Sequence, residues 1–148
     1  MRTYYLFHMN KECYAYYQKK PEELYQILMH LFRLPKQACH CGVSFYKQLC
    51  NRYDIEILNS YLEGKYKFKN ENGIYTFQNG NRIQVKSSCC IVRSESNFPS
   101  LFRTFYYYSR HIFVCDFYNQ DYFFLTKHYH EIRKPEYNKL GVEKTSNF

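Results

Sequence analysis

Hydrophobic and polar positions along this chain change period several times, and each change marks an element. Tyr4 to Met9 is a run of β-formers with little alternation, which predicts a strand covered on both faces near the centre of a sheet. Lys11 to Lys19 carries Cys13, Tyr14, Tyr16 and Tyr17 at spacings that fit a short helix, with Tyr14 and Tyr17 one turn apart. Pro21 suits a first helical position, Glu22 and Glu23 complement the N-terminal dipole, and Leu24, Ile27, Leu28, Leu31 and Phe32 form one apolar stripe. Pro35 ends this second helix at Arg33 or Leu34. A third helical stretch covers Val43 to Cys50. A fourth starts at an Asp54 cap, passes through Ile57, Leu58, Tyr61 and Leu62, and stops at Gly64.

The middle switches to period two. Lys65-Tyr66-Lys67-Phe68-Lys69 alternates, Asn70-Glu71-Asn72-Gly73 is a turn, and Ile74 to Gln78 is a strand; Asn79-Gly80-Asn81 turns again before Arg82 to Lys86. Cys89 to Arg93 adds a further strand, and such short polar turns require antiparallel neighbours. Asn97 and Pro99 open a last helix with Leu101, Phe102, Phe105, Tyr106 and Ser109 on one face. Two β-rich runs around Asn119-Gln120-Asp121 then read as a hairpin from His111 to Leu125. The fold class expected is α+β: a single, mainly antiparallel sheet of about five strands with helices packed on its faces. One compact domain spans 1–126, and 127–148 is a basic, solvated tail.

Composition sharpens this only in part. Aromatics make up 21% of the chain, with 18 Tyr, 13 Phe and no Trp, which would suit stacking platforms for bases. Tyr, Phe, Asn and Lys share A/T-rich codons, however, and the chain has only two Ala and four Pro, so coding bias accounts for the same excess. Seven cysteines without framework spacing, several inside apolar runs, point to reduced thiols in a cytoplasm. The first residues are too few and too polar for a signal peptide, no run reaches transmembrane length, and no membrane association is expected. A formal net charge of +8 attracts acidic surfaces and nucleic acids without choosing between them.

Candidate chemistry is sparse. Lys65, Lys67 and Lys69 would share one strand face and Arg82 and Lys86 another, a possible basic patch for nucleic acid. Solvent faces of A/T-rich sequences also fill with lysine, and Tyr66 and Phe68 would point away from the lysines, so direct nucleic-acid binding is the second reading. Cys39-His40-Cys41 and His128-Tyr129-His130 have zinc-binding residue types at poor spacing, and neither a metal nor another cofactor is expected. Asp116, the one acid in an apolar run, suits a strand-end carboxylate that binds its own turn better than a catalytic acid, and His8 suits a core position. No phosphate loop, metalloprotease motif or nucleophile elbow is present, so no enzyme is expected. Three tyrosines within Lys11 to Lys19 exceed what one buried helix face can hold, and exposed tyrosines are good interface anchors.

The two ends of the chain carry a resemblance. Tyr4-Tyr5-Leu6-Phe7 with the Lys11-Glu12 turn into an aromatic helix, and the closing Phe113-Val114-Cys115-Asp116-Phe117-Tyr118-Asn119-Gln120-Asp121-Tyr122, resemble the SirA family, sporulation inhibitors of DNA replication in endospore-forming Firmicutes. The middle matches by element order alone. The resemblance implies a non-enzymatic, cytoplasmic α/β protein that binds the N-terminal domain of the replication initiator DnaA and restrains initiation, with no small-molecule substrate. It implies that the contact lies on the first helix at Cys13, Tyr14, Tyr17 and Gln18. Where the family has a glycine soon after that helix, this chain has Lys19-Lys20-Pro21.

Overall fold

The computed structural model describes residues 1–35, 39–65, 69–77, 80–95 and 101–126, with backbone alone at 39–41, 64–65 and 69–71. The expected tail and the Asn97 and Pro99 helix start fall outside these residues. The described elements run β1 (Arg2–His8), α1 (Lys11–Tyr17), α2 (Pro21–Phe32), α3 (Cys39–Leu49), α4 (Ile55–Lys65), β2 (Lys69–Glu71), β3 (Ile74–Thr76), β4 (Arg82–Val85), β5 (Cys90–Ser94), α5 (Leu101–Tyr108), β6 (Ile112–Asp116) and β7 (Asp121–Phe124). The fold is α+β, with one antiparallel sheet and helices on its faces. The sheet holds seven described strands in the order β2-β3-β4-β5-β1-β6-β7, two more than expected.

β1 lies between β5 and β6 and pairs antiparallel with both. β5 and β6 therefore run in the same direction with a strand between them, so their connection must cross the sheet, and α5 makes that crossing. Strand alternation sorts the core into two layers. Tyr4, Leu6, Ile83, Val92, Ile112 and Val114 face α4 and α5, packing on Leu58, Leu62 and Phe105. Phe7, Met9, Phe113, Cys115 and Phe117 face α2 and α3, packing on Leu24, Tyr25, Leu28 and Leu49. Short polar connections position the strands: Asn72 and Gly73 turn β2 into β3 with positive φ of 54° and 77°, conformations that suit Asn and Gly.

The second core layer draws nothing from β2 to β5 among the described residues. On that side of the sheet, Ile74, Thr76 and Arg82 of β3 and β4 and Arg93 of β5 are exposed, while Gln84 is half-buried and Ile91 is buried beside β1. Among the described residues this half of the face is open at its Arg82–Arg93 end.

Two local expectations change. The alternating Lys65 to Lys69 segment is not a five-residue strand: α4 continues through Gly64 to Lys65, and β2 begins only at Lys69 and includes Glu71, leaving Asn72-Gly73 as the turn. A period-two pattern of lysine and aromatic residues competes poorly with an established helical hydrogen-bond ladder, which fixes one residue per added bond. α3 starts at Cys39, four residues before the predicted Val43. Elsewhere the agreement is close. The Asp54 carboxylate accepts from Ile57 N–H at 3.2 Å as the cap of α4. α2 spans Pro21–Phe32 with Leu24, Tyr25 and Leu28 buried.

Candidate interaction surface

α1 is a short helix that cannot be stable by itself, and its neighbours fix it. The Asn10 side chain accepts from Cys13 N–H at 2.8 Å, the standard N-cap geometry, and its amide donates to the Gln48 carbonyl at the end of α3. Asn10 N–H donates to the Leu49 carbonyl at 2.9 Å, and the Cys13 thiol lies 3.6 Å from the Gln48 carbonyl. Tyr14 is half-buried, with its ring 4.5 Å from His111 and edge-on to Phe124 at 5.3 Å. The helix is thus tied to α3, to the β6 entry and to β7.

With 100° between successive residues, Tyr14 and Tyr17 lie about 60° apart around the axis and Tyr16 about 130° from their midline. Tyr14, Tyr17 and Cys13 are half-buried against the second core layer, and Gln18 is exposed at the C-cap. The exposed aromatic is Tyr16, at 59% accessibility. Its ring packs edge-on against Tyr17 at 4.8 Å, and Lys20 sits 4.7 Å above it with Nζ 3.5 Å from the Tyr16 hydroxyl. Burial, with Tyr16 adding to it, pushes the Tyr17 phenol pKa up, so the hydroxyl stays protonated. Of the residues that the resemblance places in a contact, only Gln18 is exposed, while Tyr14 gives α1 its anchorage. The surplus of tyrosines indicated an outward residue; which one it is depends on how α1 docks.

The register brings the predicted basic patch together only in part, with Lys69 and Arg82 on the same sheet face, both opposite Thr76. Lys65 ends α4, Lys67 lies outside the described residues, Lys69 is registered opposite Thr76, and Arg82 and Lys86 are exposed on and just after β4. Sequence reasoning missed Arg93, which pairs directly with Arg82 in the β4–β5 register. The short Lys86-Ser87-Ser88-Cys89 connection was the available signal, because a tight turn combined with alternation puts residues 82 and 93 on one face.

Asp116 is 1% exposed and its carboxylate is fully engaged. It accepts from Arg2 Nε at 2.7 Å, from Asn119 N–H at 3.0 Å and from Asn119 Nδ2 at 2.8 Å. It closes its own turn as expected and also holds Arg2, which reaches Asp121 at 3.3 Å. Buried thiols are similarly inert: burial pushes Cys50 up to about 12 and raises Cys90 and Cys115 well above the ordinary thiol value. Among the described residues no group of three or more His, Cys, Asp or Glu is placed to hold a metal ion, and no helix is long and apolar enough to cross a membrane. His128 and His130 lie outside those residues. No protein-family model matches the chain, and no curated protein matches it.

Proposed function

We propose that this chain is a non-enzymatic, protein-binding inhibitor of replication initiation that acts during sporulation in the cytoplasm by docking α1 on the N-terminal domain of DnaA. The partner is supported by the SirA-like ends of the chain. The docking element is supported by one observation: a helix anchored by Asn10 and Tyr14 presents Tyr16 outward under a Lys20 ammonium. A rigid aromatic residue with a polar tip offers large contact area at little entropic cost, the usual character of an interface anchor. Gln18 and the exposed parts of Cys13 and Tyr17 extend the contact along the same helix.

Titration of the full chain against its own organism's DnaA N-terminal domain by calorimetry tests this. Tyr16→Ala and Gln18→Ala are expected to weaken association, Tyr16→Ala by about tenfold or more, without moving the thermal midpoint. Absence of any association would remove DnaA as the partner. Association unchanged by Tyr16→Ala, Tyr17→Ala and Gln18→Ala would remove α1 as the docking element.

A further inference from the structure

The open half of the sheet carries an unusual electrostatic feature. Arg82 and Arg93 are directly opposite across β4 and β5, where Cβ atoms of paired residues stand roughly 5 Å apart, and both side chains are exposed on the uncovered face. Like charges in that relation repel, and neither forms an ion pair among the described residues. The register continues the row in both directions: Thr76 pairs with Arg82, Lys69 with Thr76, and Arg93 with Thr3. At the usual strand spacing the row from β5 to β2 is roughly 14 Å long.

The row ends in a groove. A cavity of about 660 Å³ opens beside Arg93 where the sheet meets the end of α2, lined by Arg33, Tyr5, Phe32, Phe117 and the hairpin tip at Tyr118. Phe32 is 52% exposed although it stacks on Phe117 at 4.6 Å and lies edge-on to Tyr5 at 5.0 Å, so part of its ring stays accessible. Arg33, the C-cap of α2, is also exposed and forms no ion pair among the described residues. Arg2, which touches the same groove, is neutralised by Asp116 and Asp121.

We infer that this surface binds single-stranded nucleic acid. The backbone phosphates lie along Arg93 and Arg82, and a base enters the groove to stack on Phe32 beneath Arg33. An extended polyanion relieves the repulsion between the paired arginines, and the accessible aromatic ring selects a strand with unstacked bases over a duplex or an acidic peptide. The site lies away from the exposed Tyr16 of α1 and stands independently of the DnaA reading.

Fluorescence anisotropy with a labelled ten-nucleotide oligothymidylate, from about 50 to 300 mM salt, tests this on the full chain. Two phosphate contacts, at Arg82 and Arg93, predict a log–log salt slope near about −1.4, because each contributes roughly −0.7 on a single strand. Arg82→Gln and Arg93→Gln should each weaken binding by about tenfold and make the slope shallower by roughly 0.7, while Lys47→Gln on α3 leaves both unchanged. Phe32→Leu should weaken binding about fivefold or more with little change in slope. Arg82→Gln should retain or raise the thermal midpoint, since it removes a like-charge pair, so lost binding is separable from lost fold. An oligouridylate arm distinguishes RNA from DNA as the preferred strand. Absence of binding at the lowest salt would overturn the inference. Equal affinity of the arginine variants and the unsubstituted protein, or equal affinity for duplex DNA or polyglutamate, would reduce it to bulk charge and also overturn it.

Discussion

Replacing Arg2 with Met tests whether one long-range ion pair joins the start of the chain to its hairpin. Arg2 opens β1 and Asp116 closes β6, 114 residues apart, and they meet at 2.7 Å with side-chain exposures of 14% and 1%. Removing one partner from so buried a pair leaves an uncompensated charge, at a cost of about 3–5 kcal/mol. Asn119 still donates twice to Asp116, which places the expected loss near the lower end, about 3 kcal/mol. The guanidinium also lies 5.0 Å from the Tyr4 ring centre, and Met keeps the apolar part of that packing. With a urea slope of about 2 kcal/mol/M, the unfolding midpoint should fall by about 1.5 M. Asp116→Asn, which keeps the turn and leaves Arg2 its contact with Asp121, should cost less, about 1–2 kcal/mol. The double variant should be more stable than the sum of the two losses by at least about 1 kcal/mol. A midpoint within about 0.3 M of the unsubstituted protein for Arg2→Met, or strict additivity in the cycle, would refute the reasoning.

Further outcomes follow from the same contacts. Burial, and to a smaller degree the nearby His111, pushes the pKa of His8 below its ordinary value of 6.5, against a backbone hydrogen bond with Arg52. The unfolded chain therefore binds this proton more readily, so the His8 contribution is complete above pH 6.5 and declines as the pH falls through the lowered folded pKa. Urea midpoints should drop from pH 7.5 to pH 5, and His8→Gln should flatten that part of the profile. Asn10→Ala removes the α1 cap and should cost about 1 kcal/mol, read as faster amide exchange at Cys13 and Tyr14. Cys50, held near 12, and the buried Cys90 and Cys115 should resist alkylation at pH 8 until denaturant is added, as followed by mass spectrometry; rapid native labelling at Cys115 would contradict its burial.

The helices were largely legible because their signals are local. Pro21, the two glutamates and the Leu24 to Phe32 stripe define α2 within its own residues, and Asp54 marks the start of α4. The antiparallel meander was legible in part from its turns: Asn72-Gly73 does join β2 to β3, but Asn70 and Glu71, read as turn, belong to β2. What escaped the sequence depends on distance along the chain. The role of Arg2 was not legible, because nothing local shows that residue 116 lies beside it. Arg93 acquired meaning only from register, which pairs it with Arg82. The three tyrosines of α1 could be counted but not oriented, since Asn10, Gln48 and His111 together set the rotation of that helix. Lys65 to Lys69 misled because their alternation imitates one strand, whereas Lys65 is the last residue of α4 and Lys69 the first of β2.

The outward face of α1 is the proposed docking surface. Its most direct test is the affinity of the full chain for the DnaA N-terminal domain, measured by calorimetry with and without Tyr16→Ala, alongside the thermal midpoint of each protein. A tight complex for the unsubstituted chain, weakened about tenfold or more by Tyr16→Ala at an unchanged midpoint, is the predicted result. No complex, or a complex indifferent to Tyr16, Tyr17 and Gln18, would contradict it.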